Sequence, residues 1–227
     1  MSNLDLWNRV CKTDPSHTKQ ANVRGNKITA IAPQYQIMQA TEQFGAYGSK
    51  WGFKEVSIDN SLMSVGLVTF TGLFFYPSGE FQILSSIGIY RDNAQTKIDD
   101  DFAKKVETDA LTKALSKLGF SADVFMGLYD DSKYVEDTAQ EFAMKPKLEA
   151  MNEAYENNKE SVDCVKNSLA SGDFETAAEA MAELDQEVRQ ALNVASTKGG
   201  IWTLEETALF KSPEYSEART KYYEDKK

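Results

Sequence analysis

The stretch LMSVGLVTFTGLFFYPSGEFQILSSIGIY, Leu62 to Tyr90, decides the fold. Val65, Leu67, Val68, Phe70, Leu73, Phe74 and Phe75 form a β-branched and aromatic run. The run is too short, and too broken by Ser, Thr and Gly, to cross a bilayer as a helix. Pro77-Ser78-Gly79 reads as a turn, and Phe81 to Tyr90 as a second strand. Just upstream, Trp51-Gly-Phe-Lys-Glu-Val-Ser-Ile alternates in the manner of a further strand. Three antiparallel strands in succession make a β-meander. The long run is apolar on both faces, so both need cover, from a helix or from a neighbouring subunit.

Outward from the meander the pattern turns helical. Asp99-Asp100-Asp101 opens a helix that ends at Gly119, with Phe102, Val106, Ala110, Ala114, Leu115 and Leu118 on its apolar face. Lys105, Asp109, Thr112 and Ser116 centre the opposite face, with Lys113 and Lys117 along one border. Upstream of the meander, residues 4–11 predict a short helix stopped by Asp14-Pro15-Ser16. A polar segment follows that carries Lys19, Arg24 and Lys27. Pro33 then opens a helix to about Phe44. Beyond residue 140 strand patterning ends. Helices are expected near 145–170 and 173–195, then a capping box at Thr203 and a frayed end. The expected fold class is therefore α+β: an antiparallel meander packed with a long helix over 1–139, then an all-helical acidic region over 140–227.

Charge follows the same division. The chain of 227 residues is 41% hydrophobic with a formal net charge of −10. Residues 1–139 carry 14 Lys+Arg against 17 Asp+Glu, and residues 140–227 carry 11 against 18. A globally acidic protein still accommodates a basic groove, so the total excludes no polyanion partner. Cys11 and Cys164 lie far apart and suggest no disulfide framework. The first residues lack a signal-peptide pattern, and the expected home is the reducing cytoplasm of a bacterial host cell, with no membrane partner.

Several chemistries are disfavoured by what the sequence lacks. His17 is the single histidine, which excludes His-rich metal sites and makes a Ser-His-Asp triad improbable. The cysteine spacing fits no zinc motif, and Gly45-Ala-Tyr-Gly-Ser-Lys lacks the spacing of a phosphate-binding loop. ATP-driven strand exchange is not expected, nor is an enzymatic activity, a cofactor or a bound metal. Asp99–Asp101 and Asp130-Asp131 suit helix capping better than magnesium. Lys19, Arg24, Lys27, Lys113 and Lys117 are candidate phosphate contacts, and Tyr35 and Trp51 are candidate stacking platforms unless buried beside the strands.

The order of elements and three sequence blocks resemble the annealing domain of the Rad-fifty-two superfamily, including its phage Sak and Erf-type members. The blocks are Ile31–Phe53, with its Phe-Gly and Trp-Gly turn; the meander with its Pro-Ser-Gly-Glu turn; and Lys105–Phe120, with Thr108-Asp109 and Leu118-Gly119. The likeness spans about residues 14–135. It implies an oligomeric ring or helical filament that holds single-stranded DNA by its backbone in an outer groove and anneals complementary strands without ATP. Lys113 falls at a DNA-contacting position of the family's helix. Thr112 and Ser116 stand where relatives are often basic, and Lys117 compensates. The family's basic loop corresponds to Arg91–Lys97, and Lys19, Arg24 and Lys27 lie in its groove-lining segment. Pro77-Ser78 replaces the hairpin-tip lysine of some relatives. The complete set of DNA-binding candidates is Lys19, Arg24, Lys27, Arg91, Lys97, Lys104, Lys105, Lys113 and Lys117.

Two further readings stand beside annealing. One is an oligomeric scaffold that binds other proteins through the acidic region; the other is a nuclease built on the aspartate clusters. For the acidic region itself, recruitment of a host single-strand-binding protein or a phage exonuclease is weighed equally against a solubilising or autoinhibitory appendage.

Overall fold

The computed structural model describes residues 4–23, 25–92 and 94–226. They divide into two compact units, Met1–Ala139 and Gln140–Lys227. The class is α+β, and the strands lie in the first unit.

Asp5–Val10 forms α1, with Val10 buried. A 3-10 turn at Pro15–His17 leads into Thr18–Val23 (β1) and Asn26–Ile31 (β2), which pair antiparallel as a hairpin. The sequence reading gave this segment no strands. Its residues are polar and mostly exposed, so the alternation that burial imposes on a strand is missing. Pro33–Phe44 forms α2, with the proline in its first turn.

The meander follows as Gly52–Asp59 (β3), Leu67–Tyr76 (β4) and Gly79–Gly88 (β5), antiparallel in the order β3-β4-β5. The β3–β4 register shifts between Lys54 and Ser57, around Glu55 at φ +51°. Phe102–Lys117 forms α3, which packs on β5 and β4. Phe70 and Phe74 of β4 and Ile83 of β5 join Val106, Ala110, Ala114, Leu115, Trp51 and Phe120 in one core. Each such fully buried large side chain contributes roughly 1.5–3 kcal/mol. By strand alternation Leu67, Leu73, Phe75 and Leu84 point away from α3. Leu84 is 59% exposed and Leu67 38%. Of the two faces expected to be covered, this second one remains largely open.

The end of α3 is fixed by Gly119. The Phe120 N–H donates to the Leu115 carbonyl at 3.2 Å and the Gly119 N–H to that of Ser116 at 3.0 Å. Gly119 has φ +98°, and a Cβ there would lie 2.6 Å from Cε3 of Trp7. Ala122–Phe125 (α4) and Ser132–Asn157 (α5) continue the chain.

In the second unit Lys159–Ser171 (α6), Phe174–Glu183 (α7), Gln186–Ala191 (α8), Leu204–Leu209 (α9) and Pro213–Asp225 (α10) enclose Val162, Val165, Leu169, Leu192, Trp202 and Tyr215. The two long helices of the sequence reading are broken, at Asn158 and at Leu184-Asp185. The end expected to fray is helical through Asp225. Ser212 accepts the Tyr215 N–H, Pro213 starts the turn, and Tyr215 is buried. The capping box at Thr203 forms as read, with Glu206 answering the Thr203 N–H at 2.7 Å. No described helix is long and apolar enough to cross a membrane.

Candidate nucleic-acid interface

Residues four apart on a helix lie on one side, and the sequence places Lys105, Asp109, Lys113 and Lys117 at that spacing along α3. This row follows the seam where α3 meets β5. At one end the Lys117 ammonium sits 5.8 Å from the centre of the Phe81 ring. In the middle, the Ser85 hydroxyl donates to Asp109, and Lys113 reaches both Ser85 Oγ at 3.3 Å and Asp109 Oδ2 at 3.8 Å. At the other end Lys105 donates to Asp99 Oδ2 at 2.5 Å. Arg91 completes the seam, with Nε 3.3 Å from Asp99 Oδ1 and Nη2 against Asp100.

The physics of this seam is mixed. Asp99 is buried, and its carboxyl is held below the usual range first by the Lys105 ammonium, against the opposing effect of burial, with help from the Asp101 N–H and Arg91. Arg91, Lys105 and Lys113 are therefore turned toward carboxylates. All three remain about half exposed, where an ion pair is weak and a phosphate competes readily. Lys117 makes no ion pair among the described residues and has the least to give up.

The remaining candidates do not join this row. In the hairpin Lys19 pairs with Ala30 and Asn22 with Lys27, so strand alternation sends the two lysines to opposite faces. Lys104 precedes Lys113 by about two and a half helical turns and projects from the opposite side of α3. Lys97 is exposed in the loop before α3, where its N–H donates to Asp92 at 2.8 Å. Arg24 lies outside the described residues.

One open alternative is decided and one sequence reading is corrected. Trp51 is fully buried, with Nε1 donating to the Gly45 carbonyl at 2.9 Å, and Tyr35 is buried against His17, so neither presents a face to a base. The aspartates before α3 do not cap it by side chain. Asp101 makes no such bond, and Asp99 instead accepts from Arg91, Lys105 and the Asp101 N–H. The oxygens of Asp99, Asp100 and Asp101 lie within 4.8 Å of one another, but Arg91 and Lys105 already neutralise two of the three. Ser85 was missed. Its signal is a hydroxyl at an inward position of β5, where alternation calls for an apolar residue.

Compared with known proteins, the chain matches no family model, no curated protein and no solved structure.

Proposed function

We propose that the first unit binds single-stranded DNA through its backbone and anneals complementary strands without ATP, in phage homologous recombination and repair. It acts as a homo-oligomeric ring or helical filament of the Rad-fifty-two superfamily type. The observation that carries this reading is the row Lys105, Lys113 and Lys117 on the α3–β5 seam, closed by Arg91. Annealing is downhill, so the protein need only extend a strand and leave its bases free. Dispersed cations on repeated protomers are the chemistry for that task, and they give little sequence preference. The open apolar face of the meander around Leu67 and Leu84 supports assembly with further copies. In this reading the second unit binds a protein partner, a host single-strand-binding protein or a phage exonuclease.

The scaffold reading draws on the same open face and on the separate helical unit. One experiment separates the alternatives. Two complementary oligonucleotides are mixed with the protein, without ATP, and duplex formation is followed by fluorescence quenching. Accelerated pairing supports annealing, magnesium-dependent degradation supports a nuclease, and neither result leaves the scaffold.

A further inference from the structure

Ser85 sits at an inward position of β5 and is 3% exposed, so its hydroxyl needs an acceptor inside the protein. That acceptor is the Asp109 carboxylate on α3. The Ser85 oxygen in turn accepts from the Lys113 ammonium at 3.3 Å, which leaves the hydroxyl hydrogen for Asp109. Asp109 Oδ2 lies 3.8 Å from the same ammonium, with the acid one helical turn before the base, the favoured order. A buried hydroxyl therefore fixes a carboxylate in the middle of the lysine row, with Lys105 four residues before it and Lys113 four after.

Asp99, the carboxylate at the end of the row, is placed differently. It is buried, and its N–H ties the entry of α3 to the Ile89 carbonyl. The Asp109 side chain is 55% exposed, beside the ammonium it neutralises. A phosphate that approaches Lys113 therefore meets one of two costs. With Asp109 in place the two anions repel, and with Asp109 turned away the Ser85 hydroxyl loses its acceptor. Lys117 carries no such cost, since it makes no ion pair among the described residues and rests near the Phe81 ring.

We infer that Asp109 is a built-in competitor for Lys113, that Ser85 is the positioning residue that holds it on the seam, and that the pair lowers the grip of this surface on a DNA backbone. An annealing surface must surrender its strand once that strand has paired, and a contact that re-forms internally favours release. The inference rests on the DNA-binding reading of the seam and names what regulates it.

The test is binding of a fluorescein-labelled oligothymidine to the full chain, read by anisotropy over a series of salt concentrations, with each variant shown folded by circular dichroism. Asp109→Asn keeps an acceptor for Ser85 and removes only the charge, so a merely structural role leaves affinity unchanged. It is expected to bind about threefold to fivefold more tightly than wild type, with a salt slope steeper by up to about 0.7. Glu107→Gln removes the same charge about 200° around α3 and is expected to gain less. Ser85→Ala, which frees the carboxylate without removing it, is expected to fall between wild type and Asp109→Asn. Lys113→Met is expected to weaken binding more in the Asp109→Asn background than in wild type. An Asp109→Asn gain no larger than that of Glu107→Gln overturns the inference. So does an equal Lys113→Met loss in both backgrounds, or Ser85→Ala binding no tighter than wild type. Those results leave DNA binding by the seam standing, whereas a wild-type chain that holds no oligothymidine at low salt overturns both.

Discussion

Lys105 and Asp99 are joined at 2.5 Å, tying the first turn of α3 to the loop that leaves the meander. The Asp99 N–H also donates to the Ile89 carbonyl at 2.7 Å, so one residue holds helix, loop and strand extension together. A lysine that sequence marks as a DNA contact is therefore also a structural tie. Replacing Lys105 by Met is expected to lower the thermal midpoint by several degrees while changing DNA affinity less than a change at Lys117 does. Differential scanning fluorimetry and filter binding on the same variant check this.

Lys113→Glu combined with Lys117→Glu should weaken single-stranded DNA binding across all sequences. Each lost phosphate contact flattens the dependence of log affinity on log salt by about 0.7. Unchanged affinity and slope at moderate salt would remove the seam from the site.

Asp99 also sets an acid limit. Its carboxyl is held low in the fold by Lys105, so the unfolded chain binds a proton more readily. The resulting stability is fully present above the ordinary carboxylate range near pH 4 and is lost as pH falls through the lower folded value. Asp99→Asn is expected to be less stable at neutral pH and to show a shallower loss of stability in acid, measured by urea unfolding at a series of pH values.

At the alkaline end a buried cluster around Asp123 contributes to the loss of stability. Its carboxylate accepts from the Thr13 N–H at 2.8 Å, the Thr13 hydroxyl at 2.6 Å and the Tyr134 hydroxyl at 3.1 Å, and Tyr129 donates to the Thr13 carbonyl. Burial first, then the Asp123 charge, raises both phenols, with Tyr134 pushed up to about 12 and Tyr129 beyond it. Stability is complete below the ordinary phenol value near pH 10 and falls as pH rises toward the folded values. Absorbance at about 295 nm should show these two phenols ionising only as the chain unfolds. Asp123→Ala leaves the buried Thr13 donors unmatched and is expected to cost about 3 kcal/mol in urea unfolding.

Gly119→Ala meets both a left-handed backbone and the Trp7 ring. An expected loss of about 2–4 kcal/mol combines the two penalties. The companion variant Trp7→Ala should relieve the steric part and leave the backbone part, which a double-mutant cycle would separate.

Sequence alone determined the elements whose pattern is strong. The meander was legible because burial on one face imposes a period of two on β5, and because β4 is rich in β-branched and aromatic residues. The C-terminal end of α3 was legible because Gly119 takes the left-handed backbone of that turn. The β1–β2 hairpin escaped because exposed polar strands carry no such period. Tertiary structure alone decided the fate of the charges. Lys113 and Lys117 meet β5 across a seam closed by Ser85, Lys19 and Lys27 part to opposite faces, and Arg91 and Lys105 turn to Asp99 and Asp100. Charge interactions depend on distance through space, which residue identity does not encode, whereas periodic burial is written directly into the order of side chains.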